Sequence, residues 1–285
     1  MTNTFRDRFR AGKGVNTLEL VPPRGTDLRQ LLAKAEQLGE YASAINIPSN
    51  PMSALKAGAL GVCCVLKREG FEPIMHLTCR DKNRLAVQSE ALAADMLGIK
   101  NVLALTGDPP KIGEQPEAKE VDDFNSYSLI NAIKSMNRGK DIMGNELKGN
   151  TDIFIGAALS PEQINTNPEF VRAKLKSGAD FFQTQPVYDI DFCRQFLKEI
   201  GPDSKKVLIG VLPLKSAKTA HYFNDKVPGI TVPKALISRI ESSKDPQKEG
   251  IALAKEFISG LKGKCAGIHL MPVGNEEAVP ELLGK

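Results

Sequence analysis

The stretch His76–Pro110, HLTCRDKNRLAVQSEALAADMLGIKNVLALTGDPP, runs from the end of one apolar strand through a helix to a second strand. Lys82–Leu97 has a helical pattern, and Asn101–Thr106 is apolar until the chain reaches Gly107 and Asp108, which two prolines follow. Strands joined by a helix are typical of parallel sheets. The stretch therefore predicts two parallel strands, with the carboxylate of Asp108 at the carboxyl end of the second.

The same alternation of strand and helix continues along the whole chain. Eight apolar or β-branched runs are predicted as strands: Asn16–Leu20, Ala42–Ile47, Glu72–Leu77, Asn101–Thr106, Asp152–Ala157, Asp180–Gln185, Lys206–Val211 and Gly267–Met271. Helices are predicted between them: Asp27–Leu38, Ser53–Arg68, Lys82–Leu97, Ser126–Ser135, Pro168–Ser177, Asp191–Ile200, Ser216–Phe223, Ala235–Glu241 and Pro246–Leu261.

Eight strand–helix units predict an α/β fold, the (β/α)8 or TIM barrel, whose usual size is about 250 residues. The alternative is an open doubly wound sheet, which normally has a glycine-rich phosphate turn after its first strand. Here the first strand is followed by VPPRGTD, which favours the barrel. We expect residues 1–285 to form one barrel domain, with residues 1–14 as an N-terminal extension. The polar stretch Lys111–Phe124 is predicted to be a long loop after the fourth strand.

Composition indicates an ordinary globular protein rather than a polyanion-binding protein. The chain has 38 basic and 34 acidic residues, a formal net charge of +4. The basic cluster near Arg6 and Arg10 is interpreted as a solvated tail, and no nucleic acid is expected. The five cysteines include no C-x-x-C pair, so neither a disulfide framework nor a metal site is predicted. Without a secretory h-region or a membrane span, we expect a cytoplasmic protein.

Polar residues recur where the predicted strands end, and in a barrel these ends form the active-site face. They are Glu19, Asn46, His76, Asp108, Gln183 and Gln185, and the fifth strand ends in the small residues Gly156, Ala157 and Ala158. Structural interpretations remain open: Glu19 paired with Arg24, His76 as a hydrogen-bonded imidazole, Asp108 capping a turn. The occurrence of all these polar residues at strand ends favours a shared site, because a buried carboxylate costs several kcal/mol unless it is paired or protonated.

Nearly the whole chain, from about Thr17 to His269, resembles the methylenetetrahydrofolate reductase family, flavin enzymes built on a (β/α)8 barrel. The segments that carry the resemblance are LELVPPRG, the stretch His76–Pro110, KLKSGADFFQTQPVYD, GVLPLKSAKTAHYF and GITVPKALISRI. The resemblance implies noncovalent FAD and reduction of 5,10-methylenetetrahydrofolate to 5-methyltetrahydrofolate, or the reverse. Electrons would come from NAD(P)H or from a partner redox protein such as an iron–sulfur subunit, and we expect an oligomer.

The resemblance also implies roles for individual residues. Glu19 matches the general acid that assists opening of the folate ring, and Asp108 the aspartate that tunes pterin and flavin electrostatically. Gln185 matches the amide that hydrogen-bonds the pterin, and Gln183 on the same strand face is predicted to bind substrate with it. The residues predicted to contact FAD are Asn46, His76, Thr106, Gly107, Asp108, Ala157, Ala158 and Lys174.

Two departures from the family pattern concern the electron donor. Leu159 stands where members carry a tyrosine that packs on the flavin, and Ala217 aligns with a phenylalanine that helps to stack the nicotinamide. A lost stacking aromatic removes about 0.5–1.5 kcal/mol beyond its buried area, which favours a protein donor. Two other functions remain open: a pterin-binding methyltransferase barrel without redox activity, and a flavin electron-relay subunit. A buried general acid at Glu19 argues against the relay.

Overall fold

The computed structural model describes residues 4–227 and 229–284, and in these residues eight parallel strands close into a barrel in chain order, β1 to β8. The ring closes where Thr17 of the first strand pairs with His269 of the last. Each predicted strand is confirmed to within two residues. The strands are β1 Val15–Glu19, β2 Ala44–Ile47, β3 Pro73–Thr78, β4 Asn101–Leu105, β5 Phe154–Leu159, β6 Phe181–Pro186, β7 Val207–Val211 and β8 Gly267–Leu270.

Helices surround this barrel and cover its outer face. In the described residues they are α1 Phe5–Arg10, α2 Arg29–Leu38, α3 Ala59–Arg68, α4 Arg84–Met96, α5 Ser126–Met136, α6 Gln163–Thr166, α7 Pro168–Leu175, α8 Ile190–Glu199, α9 Ala217–Lys226, α10 Lys234–Ser242, α11 Pro246–Gly260 and α12 Val279–Leu283. The predicted start of α3 at Ser53 is wrong. Residues 50–53 form a tight turn in which Asn50, Met52 and Ser53 have positive φ.

The barrel interior is arranged in two layers, because inward-facing side chains alternate along each strand. The lower layer is apolar and includes Val15, Phe154 and Phe181, and the Phe181 ring fills the space that a side chain at Gly156 would need. The layer above it is polar and buried. Its members are Thr17, Asn46, His76, Gln183 and His269.

The N-terminal segment is not the solvated tail that the sequence suggested. Phe5 of α1 is fully buried and lies edge-on to the rings of Phe154 and Phe181 in the lower layer of the barrel. Arg6 fixes the helix from outside through both carboxylate oxygens of Asp152, at 2.8 Å each. Helix α1 therefore closes the amino-terminal end of the barrel, opposite the strand tips.

No helix in residues 4–227 or 229–284 combines the length and the apolar character that a membrane crossing requires.

We expect Phe5→Ala to lower the free energy of unfolding by about 3–5 kcal/mol, the usual cost of removing a buried phenylalanine ring. Urea unfolding at neutral pH measures this change. Leu85→Ala on α4, where the side chain is 74% exposed, is the control and should change stability by no more than about 0.5 kcal/mol. If Phe5→Ala lowered the free energy of unfolding as little as Leu85→Ala, the Phe5 ring would not be closing the end of the barrel.

Candidate active site at the barrel mouth

Because all eight strands are parallel, their carboxyl ends open onto one mouth. The predicted strand-end residues lie near this end of the barrel, although Glu19 and Gln185 line separate cavities. Glu19 is the last residue of β1, and Thr106, Gly107 and Asp108 follow β4 directly. Asn46, His76, Ala157, Ala158, Gln183 and Gln185 lie within β2, β3, β5 and β6. Ala157 is packed in the apolar core outside the barrel, whereas its neighbour Ala158 is partly exposed.

A hydrogen-bonded network of neutral groups forms the floor of this mouth. The Gln183 amide accepts from Asn46 Nδ2 at 2.8 Å and donates to Asn46 Oδ1 at 3.1 Å and to Thr17 Oγ1 at 3.0 Å. Asn46 Nδ2 also lies 2.8 Å from Nε2 of His76. Burial, and after it the nearby His269, lowers the pKa of His76 to about 3, so the ring is neutral and accepts this proton. The hydrogen bonds of Gln183 are thus made inside the barrel.

Glu19 lies directly above this floor with its side chain 15% exposed. Burial raises its pKa from 4.5 to about 7. Its Oε2 is 3.8 Å from Nε2 of His269. Burial lowers the pKa of this histidine to about 3, so the imidazole is neutral and the contact is not an ion pair. His269 Nδ1 in turn meets Thr17 Oγ1 at 3.0 Å. Glu19 is therefore an acid that can hold or release a proton near neutral pH.

Arg24, the partner considered for Glu19 from the sequence, pairs instead with Glu114 at 2.8 Å. This contact ties the loop after β1 to the long loop after β4. In the described residues no lysine or arginine makes an ion pair with Glu19, which explains why burial dominates its pKa.

Asp108 stands at the rim, where its Oδ2 accepts the backbone N–H of Met52 at 2.7 Å. Its main-chain oxygen accepts from Ser53 Oγ at 2.8 Å and from Arg80 Nη1 at 2.7 Å. The structural interpretation of Asp108 as a turn cap is thus partly correct. The turn that it caps is residues 50–53, after β2, and not the turn that follows Asp108 itself. Nothing in the sequence distinguishes Arg80 from the other charged residues of the stretch His76–Pro110.

Gln185 points into a cavity of about 690 Å³ beside β5, β6 and the segment around Gly229. Its buried Oε1 has no hydrogen-bond partner among the described residues. A side chain at Gly229 would come within 2.7 Å of this oxygen and 2.9 Å of Ser160 Oγ, so only a glycine lets the chain pass so closely. The cavity is within the roughly 300–1,000 Å³ that ligand sites occupy, and the orphaned acceptor is suited to a donor on a ligand.

Lys174 is buried on α7 and reaches the side of the mouth near β4. Its Nζ donates to Ser126 Oγ and lies 4.5 Å from the centroid of the Tyr127 ring and 5.8 Å from that of Phe170. The Ser126 N–H donates to Thr106 Oγ1 at 3.3 Å. Burial lowers the pKa of Lys174 to about 8. The amine makes no ion pair in residues 4–227 and 229–284, so it is suited to an anionic ligand group.

The sequence profile of the family described as methylenetetrahydrofolate reductase matches residues 4–285. The chain therefore belongs to the methylenetetrahydrofolate reductase family, whose named members are oxidoreductases, and the resemblance seen in the sequence is confirmed.

Three relatives show how the similarity is distributed. Methylenetetrahydrofolate reductase 2 of Schizosaccharomyces pombe is 24% identical over 226 residues, covering 73% of this chain and 35% of the relative. A probable methylenetetrahydrofolate reductase (NADPH) of Caenorhabditis elegans is 23% identical, covering 94% and 41%. The 5,10-methylenetetrahydrofolate reductase of Pectobacterium carotovorum is 23% identical, covering 86% and 80%. The chain thus spans well under half the length of the first two.

A solved structure supports the fold independently. A Clostridium thermocellum protein described as binding two copies of 5-methyl-5,6,7,8-tetrahydrofolic acid superposes with a TM-score of 0.65 over 98% of this chain and 97% of its own. At 16% sequence identity, the likeness establishes a shared (β/α)8 architecture.

The raised pKa of Glu19 predicts a distinct pH dependence of stability. Above pH 4.5 the unfolded chain loses this proton, whereas the folded protein keeps it until about pH 7. The free energy of unfolding therefore falls by about 3 kcal/mol as the pH rises through this window. Glu19→Gln removes the effect, so the variant should gain about 3 kcal/mol relative to the wild type between about pH 4 and about pH 8.

Urea unfolding of both proteins across this range measures the gain. The two buried histidines change stability in the opposite direction as the pH falls below 6.5, but they are present in both proteins and cancel in the difference. Glu36→Gln, at an exposed glutamate, is the matched control. A difference that stays flat with pH would mean that Glu19 is ionised in the folded protein.

Proposed function

We propose that the chain catalyses FAD-dependent reduction of 5,10-methylenetetrahydrofolate to 5-methyltetrahydrofolate, or the reverse reaction. The observation that carries the proposal is a buried glutamate with a pKa raised to about 7 at the barrel mouth, in a chain that belongs to this family. An acid whose pKa lies near the operating pH is effective both as a proton donor and, after transfer, as an acceptor.

The residues around the mouth fit FAD. The buried amine of Lys174, which lies against the Tyr127 ring, is suited to a phosphate oxygen, and the small side chain of Ala158 leaves room for a flat ring system at the mouth. Thr106, Gly107 and Asp108 would line the same side, with Ala157 contributing only its backbone. Asn46 and His76 would support the ring from the floor. When bound, FAD supplies the hydride chemistry.

Folate would be bound and activated by the opposite wall of the mouth. The free Oε1 of Gln185 accepts a hydrogen bond from the pterin, and the amide nitrogen can donate to a pterin acceptor. Gln183, although bonded within the floor, would fix the position of this wall. Glu19 protonates the leaving nitrogen of the five-membered ring, which opens the ring to an iminium. Asp108, an anion at the rim, would stabilise the positive charge that develops there.

The electron donor is proposed to be a protein rather than a nicotinamide. Leu159 is buried at the end of β5 and presents no aromatic ring to the mouth, and Ala217 begins α9 with a methyl group. Relatives are named for both NADH and NADPH, so the family name leaves the donor open. An iron–sulfur protein that docks at the mouth would need no aromatic side chain to stack a nicotinamide ring.

Glu19→Gln in the FAD-loaded protein tests the acid role. Turnover of methylenetetrahydrofolate should fall by about 10²–10⁴-fold, the usual contribution of a general acid, while reduction of the flavin by dithionite stays complete. Absorbance near ~450 nm, the ordinary flavin band, reports both half-reactions.

Glu36→Gln is the control and should retain full turnover. If both half-reactions proceed in Glu19→Gln as in the wild type, Glu19 is not the general acid. A folded wild-type protein that remains colourless after incubation with FAD would instead favour the pterin-binding methyltransferase.

The donor proposal predicts slow reaction with nicotinamides. When the oxidised, FAD-loaded chain is mixed with NADH or NADPH in a stopped-flow instrument, the flavin band should bleach far more slowly than a typical enzyme turnover of about 10 s⁻¹. Introducing an aromatic side chain with Ala217→Phe, at the partly exposed start of α9, should accelerate bleaching. Fast bleaching of the unmodified chain would refute the protein donor.

A further inference from the structure

Arg80 joins three loops at the barrel mouth. It follows β3, is 7% exposed, and its Nη1 donates to the main-chain oxygen of Asp108 at 2.7 Å and to Ser53 Oγ at 2.9 Å. Its own backbone N–H donates to Thr106 O at 2.9 Å, and its carbonyl accepts from the Val121 N–H at 2.9 Å. One residue thus connects the loop after β2 with both ends of the loop after β4.

The guanidinium group is held in a single orientation by Asp81. Nε and Nη2 donate to the two carboxylate oxygens of Asp81, each at 2.6 Å. These hydrogen bonds raise the pKa of Arg80 and lower that of Asp81. A bidentate pair of this kind fixes the plane of the guanidinium, so Nη1 is directed at Asp108 and Ser53. The positive charge is largely balanced by Asp81, and the contribution to Asp108 is therefore geometric.

The loop that Arg80 and Asp108 hold is strained. Asn50, Met52 and Ser53 have φ values of 45°, 54° and 51°, a region that residues other than glycine seldom adopt. Besides the bond from Lys56 N–H to Asn50 Oδ1, the loop is held by the bond from Met52 N–H to Asp108 Oδ2 and by the bonds of Ser53 Oγ to the Asp108 carbonyl and to Arg80. Without them the loop would relax to a less strained conformation.

Gly107 makes this arrangement sterically feasible. Its φ is +102°, and a side chain there would approach Arg80 Cβ to 3.1 Å and Thr78 Cβ to 3.4 Å. The sequence Thr106–Gly107–Asp108 therefore lets the Arg80 side chain cross the tip of β4 to reach the carbonyl of Asp108.

We propose that Arg80 is a positioning residue for Asp108. By holding the Asp108 backbone and Ser53 together, it keeps the Asp108 carboxylate at the rim, bonded to Met52 N–H, in the orientation that the substrate meets. Its effect on folate binding rests on the proposed function, whereas its effect on the loop does not.

Hydrogen exchange of the Met52 amide, followed by NMR on the full chain, tests the proposal without cofactor or substrate. Arg80→Ala should accelerate this exchange by about tenfold or more, as expected for loss of a hydrogen bond worth about 1–2 kcal/mol. Arg80→Lys should behave like Arg80→Ala, because an ammonium group keeps the charge but lacks the planar fork. Ser53→Ala leaves the Arg80–Asp81 pair intact and should also accelerate exchange of the Met52 amide. It is the alternative test if Arg80→Ala does not fold.

Arg84→Ala is the matched control. Arg84 forms a comparable pair with Asp123 at the far end of the same loop, so its loss should leave Met52 exchange within about twofold of the wild type. Asp108→Asn retains an acceptor and should keep most of the protection, whereas Asp108→Ala should match Arg80→Ala. Unchanged exchange in both Arg80→Ala and Ser53→Ala would overturn the proposal.

Kinetics of the FAD-loaded protein separate this inference from the proposed function. Arg80→Lys should raise KM for methylenetetrahydrofolate about tenfold or more while the rate of flavin reduction by dithionite is retained. Faster Met52 exchange with no rise in KM would overturn the link to substrate. A wild-type chain that binds no FAD would end the proposed function but leave the exchange result as the test of Arg80.

Discussion

Closure of eight parallel strands into one ring is the constraint on which the rest of the structure depends. With side chains alternating along every strand, each strand contributes residues to the interior at intervals of two. Along β1 these are Val15, Thr17 and Glu19, and along β6 Phe181 and Gln183, beyond which the pairing with β7 shifts register. The same periodicity therefore builds an apolar bottom layer and a polar floor, with Glu19 above it at the mouth. Helix α1 closes the bottom with Phe5, which keeps water from the lower layer.

The polar floor explains how a carboxylic acid is kept at the mouth without a cation. Thr17, Asn46, Gln183 and two neutral histidines satisfy one another's hydrogen bonds, so no formal charge is buried beneath Glu19. With no cation to stabilise the carboxylate, burial is the dominant influence and favours the protonated form. A positively charged His269 at 3.8 Å would have the opposite effect. The raised pKa of Glu19 therefore depends on the histidines beneath it being neutral.

The rim is organised differently, by charged side chains and loops rather than by strand periodicity. Arg24 pairs with Glu114, and Arg80 donates to Ser53 and to the Asp108 carbonyl, and these contacts connect loops that are far apart in sequence. In residues 4–227 and 229–284, the four non-glycine residues with positive φ lie in two loops at this end of the barrel, three of them in the turn Asn50–Ser53 and the fourth at Val273 after β8. Strain concentrated at one end of a barrel is typical of a functional face. The long loop Lys111–Phe124, predicted from its polar sequence, takes part through Glu114 and Val121.

Much of this was readable from the sequence, because strand and helix periodicity are local properties. They gave all eight strands, the order of alternation and hence the barrel, and they placed Glu19, Asp108 and Gln185 at one end. The resemblance added the family. The sequence could not show that Gln183 is bonded into the floor while Gln185 keeps an acceptor without a partner in the described residues, since both are glutamines two positions apart in one predicted strand. Nor could it show that Phe5 fills the barrel, that α3 begins only at Ala59, or that Arg80 holds Asp108. Each of these depends on contacts between residues distant in sequence, and such contacts exist only once the ring has closed.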